Sequence, residues 1–478
     1  MFKKIILIAI LAKSLLANAQ EKRAADIYDA STTYEYPTDP LVRKKLDAWQ
    51  DLKFGVIIHF GLYSVSGTRE SWLLCNEPRF VRDSTIAYDD YKKWYWGQSE
   101  KFNPVKFDPD KWAEISQKAG MKYVVFTTKH HEGFSMFDTK QSEFKVANTP
   151  FGKNPKSDIT KEVFDAYRKK GMMIGAYFSK PDWHSEYFWW PRYATSDRNV
   201  NYDGIKNPWR WQKFKDFTYN QISELMHNYG KIDILWLDGG WVRPLEPNKK
   251  RPEGFTLYPD FSQDVNMPKI AAMSRTAQPG ILVVDRTVHG PYENYRTPEQ
   301  AVPKEQIKEP WETCMTLGKA WGYREGDKMK SAEKIIHTLA EVVAKGGSLL
   351  LGVGPDGMGE FPAASINPLT SIGDWLKING EAIYGTRITD NYNDGLTWFT
   401  QAKDGKTKYA IACIKEDSTV PTTIQWKGNL PGKGTKIKLL ATGKNVNWKQ
   451  VGDEVMVTVP AELIGKKTAA LAFAFYVK

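Results

Sequence analysis

Between residues 54 and 353, short apolar runs alternate with longer stretches in which apolar residues return every three or four positions. The runs are Phe54–Phe60, Tyr123–Thr128, Met172–Phe178, Ile232–Leu237, Ile281–Val284 and Ser348–Val353. Each is too short for a helix and has the nearly continuous hydrophobicity of a strand buried on both faces. The stretches between them carry helix punctuation. Asp108 followed by Pro109 opens a helix that stops at Gly120, and Asp158 opens one that ends at Gly171. Trp209–Tyr229 is amphipathic and ends at Gly230, and Ser331 caps a helix ending at Gly346. Strand–helix alternation over some 300 residues predicts a parallel sheet with helical crossovers.

Two architectures satisfy that pattern. An open doubly wound sheet gathers its chemistry at one switch point, whereas a barrel collects it from many strand ends. No Gly-rich dinucleotide fingerprint follows the first strand, and nearly every run ends in a polar or aromatic residue: His59, His130, Ser179, Asp238, Arg286. The expected fold is therefore α/β, a (β/α)8-like TIM barrel. After Gly357 the pattern changes. Ser371–Asn379 reads as a last helical stretch. Six short alternating runs follow, namely Leu396–Ala402, Tyr409–Ile414, Thr422–Trp426, Ile437–Ala441, Glu454–Val459 and Ala469–Val477, with a hairpin signal at Asp404-Gly405. They predict a C-terminal antiparallel β-sandwich. The expected division is 1–19 as a signal peptide, 20–380 as the barrel and 381–478 as the sandwich.

The signal reading rests on Lys3 and Lys4, the apolar stretch Ile5–Ala12 and the small-residue pattern Ala17-Asn18-Ala19 before Gln20. The apolar stretch falls far short of the ~20 residues a membrane span needs. Export to the periplasm or the medium, without stable membrane insertion after cleavage, is the expectation. Removing residues 1–19 takes away three lysines and leaves +8 of the formal charge of +11. That charge is spread along the chain, which argues against a nucleic-acid partner. Cys75, Cys314 and Cys413 have neither metal spacing nor the numbers for a disulfide framework.

The segment KIDILWLDGGW, Lys231–Trp241, concentrates the chemistry. A carboxylate, Asp238, stands where a buried strand runs out, the end that opens onto the active site in a parallel barrel. Two glycines and a tryptophan follow. Other strand ends and the loops after them offer His59, Glu70 and Trp72, His130 and His131, Tyr177, Trp236, Arg286, Glu293 and Glu299, and Trp321. Neutral imidazoles, carboxylates and Arg bond vicinal hydroxyls, while Trp and Tyr cover an apolar sugar face. One strand-end acid plus a second acid on a loop is what glycoside hydrolysis requires. Barrel filling by Trp236 and an Asp285–Arg286 ion pair are the structural alternatives at those two positions. The chain lacks HExxH, and no third ligand stands at zinc spacing beside the histidines, so neither metal nor cofactor is expected.

HFG, the Glu-Trp loop, KHHEGF, WLDGGW, VVDR, a TPE-type glutamate, W-G-Y and LLLGVGPDG occur in one order over residues 45–385. In this the chain resembles the α-L-fucosidases of glycoside hydrolase family 29. The resemblance implies a retaining exo-glycosidase acting on terminal α-L-fucosyl linkages of oligosaccharides or glycoconjugates. It places the nucleophile on Asp238 and sugar contacts on His59, Glu70, Trp72, His130, His131, Tyr177, Trp236, Arg286 and Trp321. It favours Glu299 in TPEQ as acid/base, with Glu293 as runner-up and Glu312 third. Ser71 separates Glu70 from Trp72, a departure from the family's usual adjacency. An α-L-galactosidase on the same site and a non-catalytic fucosylated-glycan-binding protein are the alternatives.

Overall fold

The computed structural model describes residues 34–77, 80–195, 197–245 and 261–477; the proposed signal segment lies outside them. Seven parallel strands form the first sheet: β1 Phe54–Ile58, β2 Tyr123–Lys129, β3 Met173–Ser179, β4 Ile234–Asp238, β5 Leu282–Asp285, β6 Glu312–Thr316 and β7 Ser348–Val353. Their order is β5-β4-β3-β2-β1-β7-β6. The expected barrel is thus present, with a difference between its edge strands. Where an eighth strand would stand, residues 292–300 run irregularly and pair on both sides. Asn294 N–H donates to the Val283 carbonyl (2.9 Å) and Asp285 N–H to that of Tyr292 (2.9 Å). On the other flank Cys314 N–H donates to the Pro298 carbonyl (3.1 Å) and Gln300 N–H to that of Cys314 (2.9 Å). This stave carries Glu293 and Glu299.

Alternation along the strands sorts the apolar residues into two cores. Ile57, Tyr123, Val125, Tyr177, Ile234, Trp236, Leu282, Val284 and Leu350 fill the barrel interior. Val42, Leu46 and Trp49 of the helix Pro40–Gln50 join them, as does Tyr295, whose ring stacks on Trp49 at 4.0 Å. Val56, Ile58, Val124, Phe126, Ile174, Leu235, Leu237, Leu349 and Leu351 face outward into the larger core shared with the surrounding helices. Those helices begin as read. Asp108 caps Pro109–Lys118, Asp158 caps Ile159–Lys169 and Ser331 caps Ala332–Ala344, each side chain accepting a backbone N–H of the first turn. At roughly 1 kcal/mol each, such caps fix the helix starts rather than hold the barrel together.

Beyond the helix Ala363–Asn379, two antiparallel sheets face each other. The larger has strands Lys444–Val446, Ile437–Leu439, Ala470–Tyr476, Thr407–Cys413, Thr397–Ala402 and Thr386–Arg387 in that order, with Asn393–Asp394 also on Thr397–Ala402; the smaller has Thr423–Lys427, Glu454–Thr458 and Trp448–Val451. Phe399, Trp426, Val455, Val457 and Phe473 form the core between them. The opposite face of the larger sheet, through Tyr409, Ile411, Ala470 and Ala472, packs on the barrel's outer core. Trp375 Nε1 donates to the Ala470 carbonyl across that junction (2.9 Å).

Candidate active site

Because all the strands point the same way, their C-terminal ends converge at one mouth. Asp238 is the last residue of β4. Tyr177 Oη, from the neighbouring strand, donates to its Oδ2 (2.7 Å), and the Gly239 N–H donates to its Oδ1 (2.7 Å). Arg286 Nη1, one residue past β5, also donates to Oδ1 (3.2 Å), and His131 Nε2 lies 3.8 Å from Oδ2. Burial alone would push this carboxyl up. The Arg286 guanidinium, together with the hydrogen bonds from Tyr177 and the Gly239 N–H, outweighs burial and holds it well below the usual carboxylate range.

The two glycines after Asp238 are there for close approach. Gly239 sits at φ 90°, and a Cβ on it would meet Pro181 at 2.3 Å; a Cβ on Gly240 would meet Thr287 Oγ1 at 1.8 Å. Side chains at either position would drive the loops after β3 and β5 away from the carboxylate.

Arg286 reaches further. Its Nη2 is bonded to Glu299 Oε2, so one guanidinium joins both carboxylates proposed from sequence. Asp285, the alternative partner, points to the other side of the sheet and pairs with Lys180. Glu293 lies elsewhere on the stave, buried and paired with His289 (2.8 Å). Glu312 opens β6 inside the barrel, accepting from Tyr123 Oη (2.6 Å) and Trp236 Nε1 (3.1 Å), and burial pushes its carboxyl up to about 7.

The histidines gather with the aromatics. His130 and His131 follow β2, with ring centroids 4.3 Å apart, and His59 stands 5.6 Å from His130 and from Tyr177. Burial, and then the neighbouring His130, lowers the pKa of both His59 and His131, so both rings are neutral at physiological pH. His59 Nδ1 is buried and finds no hydrogen-bond partner among the described residues. Among the described residues no group of three His, Cys, Asp or Glu could hold a metal ion.

Trp72 packs edge-on to His131 (4.9 Å), and Trp321 is tilted against His59 (5.2 Å). Gly352 of β7 makes room for Trp321, whose ring lies 2.8 Å from where a Cβ would be. Glu70 Oε1 accepts the N–H groups of Trp321 and Gly322 (2.8 Å each), tying the loop after β1 to the one after β6. Trp236 lies deeper, stacked on Tyr177 at 5.3 Å and beneath Arg286 at 5.2 Å. It fills the upper barrel and floors the mouth together.

Sequence reading missed the residues that set these groups. Ser71, which separates Glu70 from Trp72, is hydrogen-bonded to His130 Nδ1, and Ser179 to His131 Nδ1 (2.5 Å each). Ser179 already stood out as a polar strand end, which was the available signal; Ser71 gave none beyond breaking the expected adjacency. Trp183 and Trp241 complete the wall around His131, each 5.2 Å from its ring.

Paired carboxylates in a barrel mouth lined by neutral imidazoles and aromatic rings are the equipment of a glycoside hydrolase. The family model described as Alpha-L-fucosidase matches residues 22–381. Plasma alpha-L-fucosidase of Rattus norvegicus is 30% identical over 443 residues, covering 88% of this chain and 89% of its own. That of Homo sapiens is 28% identical over 447 residues, covering 90% and 89%. Among solved structures, Alpha-L-fucosidase isoenzyme 1 from Paenibacillus thiaminolyticus superposes with a TM-score of 0.73 at 29% identity, covering 92% of this chain and all of that one. The Thermotoga maritima alpha-fucosidase in complex with a mechanism-based inhibitor gives 0.70 at 27% identity, covering 93% and 100%. The chain belongs to the α-L-fucosidase family, and its enzyme class is that of a glycoside hydrolase.

Proposed function

We propose that the protein is an exported, retaining exo-α-L-fucosidase that removes terminal α-L-fucosyl groups from glycans by double displacement. Asp238 is the nucleophile and Glu299 the general acid/base. The observation that carries the reading is the environment of Asp238. It is a strand-end carboxylate kept ionised by Arg286, Tyr177 and a backbone N–H, with a second carboxylate on the same guanidinium. An ionised carboxylate is the attacking group in a retaining mechanism, and a carboxyl close by protonates the leaving oxygen and then activates water.

The chain of events follows from those positions. His59, His130 and His131, with Glu70, bond the sugar hydroxyls, while Trp72 and Trp321 cover apolar faces. Asp238 Oδ2 or Oδ1 attacks the anomeric carbon as Glu299 delivers a proton to the departing oxygen, giving a fucosyl ester and a free acceptor. Glu299 then takes a proton from water, which attacks the anomeric carbon and releases Asp238. Arg286 offsets charge on the two carboxylates as it passes between them. Trp236 and Tyr177 keep the guanidinium and the nucleophile from drifting.

Export is supported by the residue pattern of positions 1–19, and among the described residues no helix is long and apolar enough to cross a membrane. Cleavage after Ala19 gives a mature chain beginning at Gln20. The substrate reading is tested by steady-state kinetics on aryl α-L-fucoside and aryl α-L-galactoside, with and without EDTA. The two sugars differ by one hydroxyl at C6, and an apolar pocket rejects an added hydroxyl by only ~10²-fold. The fucoside is expected to win in kcat/KM by that order, with rates unaffected by chelator. Equal rates on both sugars would replace the fucosidase reading with a broader one.

A further inference from the structure

Arg198 lies outside the constellation above, on the long loop after β3, yet it touches three of the loops that form the mouth. Its Nε and Nη2 donate to the two carboxylate oxygens of Glu77, at 2.5 Å each. Its guanidinium carbon stands 4.9 Å from the ring centroid of Trp72 and 4.9 Å from that of Trp241. Its carbonyl accepts from Trp183 Nε1 and from Trp241 Nε1, both at 3.2 Å. Trp72 and Glu77 belong to the loop after β1, Trp183 to the loop after β3 and Trp241 to the loop after β4. Arg198 is 4% exposed and Glu77 7%, so the pair is withdrawn from water.

A buried ion pair gains little stability over an apolar filling of the same volume. What the planar fork offers is geometry: two parallel bonds to a carboxylate fix its plane, and its faces stack on aromatic rings. The two rings on its faces, Trp72 and Trp241, pack on His131 at 4.9 Å and 5.2 Å, and Trp183, bonded to the Arg198 backbone carbonyl, packs on it at 5.2 Å. His131 in turn lies against Asp238.

We propose that Arg198, clamped by Glu77, is a positioning residue that sets the tryptophan wall of the sugar pocket and through it the placement of His131. The proposal rests on the reading of that wall as a sugar contact. Lys at this position keeps the charge but cannot hold both oxygens and both rings. The test uses the full mature chain with Arg198→Lys, Glu77→Gln, the double variant Glu77→Gln/Arg198→Met, and Trp72→Phe. KM and kcat on aryl α-L-fucoside, melting temperature and near-UV circular dichroism are the readouts.

Arg198→Lys is expected to raise KM by about tenfold, with a smaller loss in kcat, since small misplacements far from the chemistry carry such costs. Its near-UV tryptophan signal should change. Glu77→Gln should lower the melting temperature, because it leaves a buried cation unpaired. The double variant should regain much of that temperature while keeping the raised KM. Variants that melt earlier but keep wild-type KM and kcat would reduce the pair to a structural one and overturn the proposal. If Trp72→Phe raises KM and Arg198→Lys does not, the positioning role alone fails. If neither does, the wall is no sugar contact and the proposal falls with that reading.

Discussion

Two carboxylates stand on the inner side of one barrel, half-buried Asp238 at its mouth and buried Glu312 at the opposite end of its strand, and desolvation acts on both in the same direction. Their outcomes are opposite. Asp238 is held well below the usual carboxylate range, whereas Glu312 is pushed up to about 7. Glu312 receives two neutral donors, Tyr123 Oη and Trp236 Nε1, and feels Arg286 only through space. Asp238 receives a neutral phenol, a backbone N–H and, in contact, the guanidinium itself. Neutral hydrogen bonds do not offset the desolvation of a carboxylate; an adjacent cation added to them does. The mouth is built to keep a charge, and the floor is built to carry a proton near neutrality.

The largest expected effect comes from removing the charge at the mouth. Asp238→Ala should lower kcat by about 10⁴-fold or more, as loss of a nucleophile does, while fucose binding measured by calorimetry persists. A kcat within tenfold of wild type would remove Asp238 from the chemistry.

Next comes the second carboxylate on Arg286. Glu299→Ala should slow substrates with poor leaving groups by roughly 10²–10⁴-fold, the usual contribution of a general acid, and aryl fucosides much less. Azide should restore turnover by attacking the fucosyl ester without needing a base. Glu293→Ala should show neither effect, because Glu293 is buried and paired with His289. The reverse pattern would move the acid/base along the stave.

The smallest effect sharpens the floor. Glu312 has its carboxyl raised from 4.5 to about 7 in the folded protein. Its contribution to stability is therefore present below the unfolded value and lost as pH rises through about 7. Wild type should lose about 1–3 kcal/mol between those limits that Glu312→Gln does not lose. Urea midpoints at pH 4.5, 6 and 7.5 check this, and parallel curves for the two proteins would show that Glu312 does not titrate there.

How far the sequence discloses this arrangement depends on the distance between interacting residues. Six of the seven barrel strands were legible because each is a run of apolar residues. β6, with the sequence ETCMT, was not: its outward and inward positions are mostly polar, and its flank is an irregular stave rather than a strand. Residues 292–300 have no strand periodicity, so the way the ring closes was invisible. The last barrel helix starts at Ala363, eight residues before the stretch Ser371–Asn379 that the pattern marked, since Pro368 interrupts it. In the sandwich, Lys444–Val446 and Trp448–Val451 were missed because they are short and largely exposed.

The candidate residues that the structure gathers at the strand ends were legible because strand ends can be read locally. Their supports were not. Ser71 with His130, Glu312 with Trp236, and Arg198 with Glu77 pair residues 59 to 121 positions apart. Asp285 and Arg286 show the converse. Adjacent in sequence, they look like partners, but alternation along β5 sends them to opposite faces.

The central claim is that Asp238 attacks the anomeric carbon, and the stereochemistry of the first product tests it most directly. Proton NMR of aryl α-L-fucoside hydrolysis, recorded before mutarotation equilibrates the anomers, should show α-L-fucose appearing first and β-L-fucose growing in later. Initial release of β-L-fucose would mean a single displacement by water and would contradict the account.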